Sequence, residues 1–168
     1  REPVQVIGDL HSLATCNDVG CRRLVEMMDE FGIADLETVA THILARSEAV
    51  TLEEIAKLKP GTYRYAMRSD GWEMPVDLVA EMTIASHAID VDFTGTSGIS
   101  SYGINVPYCY TEAYATYGVR CIVASSVPNN AGSLAPIRIT APENSILNAV
   151  HPAPVAVRHV TGQMLPDV

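Results

Sequence analysis

Four short segments carry residues able to do chemistry. Thr94-Gly95-Thr96-Ser97-Gly98 places hydroxyls and two glycines directly after a strand-like run, which lets backbone amides approach an anion. It lacks the lysine that meets the phosphates in a P-loop. The competing account is a strand-to-loop turn whose hydroxyls satisfy their own backbone. Pro128-Asn129-Asn130-Ala131-Gly132 is the second segment. Its paired amides, Asn130 above all, can fix a polar ligand, but the same residues are common turn formers. The third is Arg158-His159 with Thr161-Gly162-Gln163 just after it. A guanidinium beside an imidazole suits a carboxylate, carbamate or phosphate, or else forms a satisfied pair at a helix start. The fourth is Asp9 with His11. One carboxylate and one imidazole can bind a metal, yet two ligands are not a site, and a helix N-cap equally explains Asp9. His42, His87 and His151 have no partner in sequence and receive no role.

No Gly-x-Ser-x-Gly elbow, His-Glu-x-x-His or Gly-x-Gly-x-x-Gly string occurs, so the sequence holds no self-sufficient catalytic set of those kinds. Cys16 and Cys21 are too widely spaced for a zinc pair, and Cys109 and Cys121 lie among apolar residues. Reduced, structural thiols are the expectation, consistent with a cytoplasmic protein.

The elements that must position these residues are legible in outline. The chain has 168 residues, about one domain's worth. With 48% hydrophobic and 18% charged residues it can build a core, which excludes intrinsic disorder. A net charge of −9 with no basic stripe excludes broad phosphate-backbone binding. No apolar run is long enough for a transmembrane helix.

Val4-Gln5-Val6-Ile7 reads as a short strand. A helix is expected from Asp9, with Leu10, Leu13, Leu24, Met27, Met28 and Phe31 at spacings of three and four. Asn17, Asp18 and Gly20 predict a kink or pause, and Gly32 a C-cap. Asp35 opens a second helix with Leu36, Val39, Ala40, Ile43, Leu44 and Ser47 inside, running to about Leu58. The short turn between the two favours an antiparallel pair.

The period then changes. Thr62–Met67, Val76–Ile84 and Ala88–Phe93 read as three antiparallel strands, with Val76, Leu78, Ala80 and Met82 on one face and a tight turn at Ser86-His87. Pro107 introduces a third helix with Ala113, Tyr114, Tyr117, Val119 and Cys121–Val123 as its apolar positions, and Ile137-Arg138-Ile139 reads as a short strand. The fold class is therefore α+β: an antiparallel helix pair, an antiparallel β-meander, then a further helix and short strands. The helical part covers about 9–59 and the β-rich, mixed part about 61–168. Both ends lie in apolar sequence, so a single fragment of a larger domain is expected.

The order of motifs resembles the hydantoinase B / 5-oxoprolinase family along essentially the whole chain. Gly8-Asp9-Leu10, Arg22-Arg23-Leu24 and Phe31-Gly32 carry it at the start. Val91-Asp92-Phe93-Thr94-Gly95-Thr96-Ser97, Asn105-Val106-Pro107 and Pro128-Asn129-Asn130-Ala131-Gly132 continue it. Ser145-Ile146-Leu147-Asn148, Pro152-Ala153-Pro154-Val155 and Arg158-His159-Val160-Thr161-Gly162-Gln163 complete it.

The resemblance implies part of an ATP-dependent cyclic amide hydrolase that opens hydantoin, 5-oxoproline or lactam rings. It implies a hetero-oligomer with a hydantoinase A-type subunit of actin-like fold that binds ATP and Mg2+. Alternatives are a subunit of an ATP-dependent acetone or aryl-ketone carboxylase, and a non-catalytic assembly module. Family members are several times longer, so a divalent metal is expected in a missing N-terminal part, with Asp9 beside it, and the isolated chain is expected to be inactive. Asn130, Arg158, His159 and Gln163 are the substrate-binding candidates, as orienting groups and not nucleophiles.

Overall fold

The computed structural model describes residues 3–168. The chain divides into two compact units, residues 1–42 and 43–168.

The first unit is dominated by one helix, α1 (Pro3–Phe31). Val4–Ile7 is its first turn and not a strand, and Asp9 lies inside the helix, not at its N-cap. The strand preference of two valines and an isoleucine amounts to a few tenths of a kcal/mol each, and no turn separates them from the helix that follows. Pro3 at the first position suits a helix start, because its missing N–H would be unpaired there anyway. Asn17, Asp18 and Gly20 do not interrupt it. The C-terminus closes as expected: Gly32 has φ +63°, the Ile33 amide donates to Met28 O and the Gly32 amide to Asp29 O. No residue of α1 is buried, and Leu10, Leu13, Val25 and Phe31 are exposed.

Asp35 caps α2 (Leu36–Ile55), accepting from the Glu37 amide at 2.9 Å and the Thr38 amide at 3.1 Å. The buried line of α2 is Ser47, Thr51 and Ile55 at spacings of four. Ala40 and Ile43, expected inside, are exposed.

The second unit is built on a four-stranded sheet in the order β1-β2-β3-β4: β1 (Gly61–Ser69), β2 (Val76–Ala85), β3 (Ala88–Asp92) and β4 (Ile137–Thr140). The first three form the antiparallel meander, with the turn at Ser86-His87. β4 pairs with β3 in parallel, Ile89 opposite Ile137 and Val91 opposite Ile139. Between them run α3 (Tyr108–Ile122) and the single turn α4 (Ala131–Leu134). After β4 come α5 (His159–Gly162) and a closing 3-10 turn, Leu165–Asp167.

One core joins these elements. Val76, Leu78 and Ala80 alternate inward along β2, and Ile55, Ile89, Phe93, Val106, Ile146 and Leu147 are fully or almost fully buried. Each large aliphatic or aromatic side chain so placed contributes roughly 1.5–3 kcal/mol. The inward face of α3 differs from expectation: Thr111, Ala115, Thr116 and Arg120 are buried, while Tyr117 and Ile122 are exposed. All four cysteines are free, in line with the reduced thiols expected, but all are exposed, so none is a packed structural residue of the core. Among the described residues no helix is long and apolar enough to cross a membrane.

Candidate functional site

The Thr94–Gly98 segment is committed to the sheet. β3 leaves β2 after Asp92, and the hydroxyls take over its edge. Thr96 Oγ1 accepts from the Val79 amide at 3.0 Å and donates to Val79 O at 3.2 Å. Ser97 Oγ accepts from the Asp77 amide at 2.9 Å, and the Ser97 amide donates to Asp77 O. Asp92 Oδ1 accepts from both the amide and the hydroxyl of Thr94. Gly95 carries φ +99°, a turn a side chain would strain. The segment is thus a strand-to-loop turn as expected, but the hydroxyls of Thr96 and Ser97 satisfy the backbone of β2 and not their own.

The loop that follows is organised by two residues that sequence reasoning did not single out for a role. Asn105 is completely buried. Its Oδ1 accepts from the Ser100 amide at 2.8 Å, and its Nδ2 donates to the carbonyls of Ser100, Tyr102 and Pro154. Glu73 grips the same loop from outside, accepting from the Ser101 amide and the hydroxyls of Ser101 and Ser100. The Ser101 amide and then its hydroxyl hold the Glu73 carboxyl below the usual carboxylate range, outweighing burial, with Ser100 adding to the effect.

The Pro128–Gly132 motif separates two neighbouring asparagines by task. Asn130 caps α4: its Oδ1 accepts from the Ser133 amide at 3.0 Å, while Ser133 Oγ accepts from the Asn130 amide. Its Nδ2 donates to Ser47 Oγ on α2 at 2.9 Å. Gly132 follows because a Cβ there would sit 2.0 Å from the Leu44 carbonyl oxygen. Asn130 is thus occupied with positioning.

Asn129 instead lines a groove of about 370 Å³ along one stripe of α3. Cys109, Glu112, Thr116, Tyr117 and Arg120 recur at helical spacing on that stripe. Thr116 and Arg120 are buried at 9% and 6% exposure, while Glu112, Tyr117 and Asn129 are exposed. The Arg120 Nε donates to Asn129 Oδ1 at 3.2 Å, Nη1 to Val123 O and Nη2 to Val127 O. This guanidinium fastens the turn after α3 and complements the carbonyl end of the helix. Burial lowers its pKa from the ordinary value. The sequence signal was a single charge inside the apolar run Val119-Arg120-Cys121-Ile122-Val123.

Arg158, His159 and Gln163 are brought together on α5 and its flanks, and all three are exposed. Arg158 Nη1 donates to Val155 O, and its Cζ stands 5.8 Å from the Tyr110 ring centroid. Tyr110 in turn stacks on Tyr114 at 4.5 Å between centroids. Gly162 is required beneath this stack, since a Cβ would meet Tyr110 Cε1 at 2.3 Å. No hydrogen bond joins Asn130 to these three residues. Asp9 stands exposed on α1. Among the described residues no three His, Cys, Asp or Glu side chains come together as a metal site.

Such a layout, with polar loops gathered around a mixed four-stranded sheet, places the chain in the α+β class. Residues 1–168 match the family described as Hydantoinase B/oxoprolinase, and the chain belongs to that family. It is 29% identical over 181 residues to the putative B-type subunit of a D-/L-hydantoinase from a Pseudomonas species, covering 99% of this chain and 31% of that protein. It is 27% identical to an uncharacterized protein of Methanocaldococcus jannaschii, covering 100% of this chain and 30% of that protein. The fold matches the crystal structure of an ATP-dependent caprolactamase from Pseudomonas jessenii, with a TM-score of 0.82 and 20% identity over 95% of this chain and 28% of that one. The chain thus spans about 30% of the length of these relatives.

Proposed function

We propose that these residues form part of a B-type subunit of an ATP-dependent cyclic amide hydrolase, opening a hydantoin, 5-oxoproline or lactam ring. The observation that carries this reading is the family match over residues 1–168. The caprolactamase fold is consistent with it. An unstrained amide is a poor electrophile. Transfer of the γ-phosphoryl group of ATP to the amide oxygen releases ADP and turns that oxygen into a leaving group. Water then adds to the carbon, the C–N bond breaks as the nitrogen leaves with a proton, and a second water hydrolyses the resulting acyl phosphate to a carboxylate and inorganic phosphate. We assign ATP and Mg2+ to a partner subunit of the A type, and any divalent metal of the B-type chain to segments outside these residues. Arg158, His159 and Gln163 are proposed to orient the ligand. Asn130 serves through α4, which it caps.

The test is reconstitution of the full-length B-type chain with its A-type partner. ADP release coupled stoichiometrically to ring opening, with no need for bicarbonate, supports the hydrolase. Turnover that requires bicarbonate and a ketone replaces it with the carboxylase reading. Absence of coupled ADP release across hydantoins, 5-oxoproline and lactams overturns it.

The exposed apolar residues of α1 favour a second role for this segment, in assembly. Leu10→Glu with Leu13→Glu is then expected to lower recovery of the complex on size exclusion while leaving the sheet intact by circular dichroism.

A further inference from the structure

We propose that the groove on α3 is an anion-binding subsite in which Arg120, Asn129 and Thr116 hold one small oxyanion, a carboxylate or a phosphate. The inference stands on the groove itself and does not depend on the hydrolase reading. Arg120 is 6% exposed, yet the ion pairs among the described residues all lie elsewhere. Its three acceptors are neutral: the Asn129 amide oxygen and the carbonyls of Val123 and Val127. The carbonyl end of α3 offsets part of this charge and, like Glu112, limits the affinity for an anion. Among the described residues no carboxylate pairs with the guanidinium, and a buried charge is ordinarily paired because of its large desolvation cost.

A guanidinium has five N–H donors, so two are left. The Asn129 Nδ2 and the Thr116 hydroxyl also make no hydrogen bond among the described residues, and all three side chains line the same groove. Two spare guanidinium donors, an amide N–H2 and a hydroxyl make a donor set matched to an oxyanion. The groove, at about 370 Å³, has ample room for one. The single carboxylate on its lining, Glu112, forms no ion pair with Arg120 and sets a repulsive limit on affinity.

The experiment titrates the full-length protein with inorganic phosphate and, separately, with acetate, against chloride at matched ionic strength, reading Tm and heat of binding. A saturable rise in Tm with one or both oxyanions is expected, and the stronger responder names the class. Arg120 is left intact, because it also fastens the turn after α3. Asn129→Asp supplies a carboxylate from within; it is expected to raise the ligand-free Tm and abolish the anion response. Thr116→Val keeps the volume and is expected to weaken binding about tenfold. Glu112→Gln is expected to strengthen it. No response beyond chloride, or a response unchanged in both Thr116→Val and Asn129→Asp, overturns the proposal. Should Asn129→Asp fail to fold, Thr116→Val and Glu112→Gln carry the decision with opposite expected signs.

Discussion

Asn105 illustrates how one side chain can determine a loop. Its amide group is buried and meets one N–H and three carbonyls. Asn105→Ala removes the partner of all four groups, the buried Ser100 amide and carbonyl above all, and is expected to cost roughly 1–3 kcal/mol, read as a lowered urea midpoint with unchanged slope. Glu73 acts on the same loop and gives it a pH dependence. Its carboxyl is depressed in the folded chain by the Ser101 amide first. A depressed carboxyl contributes stability that is fully present above its unfolded value of about 4.3 and is lost as pH falls through the lower, folded value. The Ser101 amide resonance is expected to titrate with a midpoint below about 4.3 and to lose that titration in Glu73→Gln. A midpoint at or above the ordinary carboxylate value contradicts the latch. At this scale the sequence was legible where side chains bond locally. Asp35, Gly32 and the Asn130–Ser133 turn act within four residues of themselves. Asn105 and Arg120 were not legible as key residues, because burial depends on partners that spacing alone does not identify: Pro154 lies 49 residues from Asn105.

Elements were legible through their period. The alternation in β2 placed Val76, Leu78 and Ala80 on one face, and the structure buries all three. The start of α1 was not legible, because four apolar and polar residues fit a strand and a helix equally well. Nor was the inward face of α3 predicted, since its stripe mixes Thr111, Thr116 and Arg120 with Ala115 where hydropathy pointed elsewhere. Glycine substitutions separate the elements by sign. Gly132→Ala would drive a methyl into the Leu44 carbonyl and is expected to cost about 3 kcal/mol or more, displacing α4 from α2. Gly20→Ala meets no atom within 4 Å inside α1 and is expected to stabilise that helix by about 0.5–1 kcal/mol. Urea unfolding for the first and amide exchange within α1 for the second check these signs. Thr96→Val removes the hydroxyl that bonds both the amide and the carbonyl of Val79 and is expected to cost about 1–3 kcal/mol.

For the molecule as a whole, the α+β class and the meander followed from composition and turn chemistry. The parallel seam between β3 and β4 did not, because nothing local to Ile137-Arg138-Ile139 names its neighbour. That seam has a consequence for how the chain is made. Asp90 and Arg138, which pair across it, are 48 residues apart, so at ribosomal rates β3 waits roughly 2–10 s for its neighbour. Throughout that interval Ile89 and Val91 present an open edge to any other nascent chain. Asp90 and Asp92 alternate with them, and charge on an open edge discourages strangers from adding a strand. Asp90→Asn is thus expected to leave the finished protein nearly as stable, since its ion pair is exposed, while raising light scattering during dilution from denaturant. The carboxylate that later greets Arg138 first serves as a guard during synthesis.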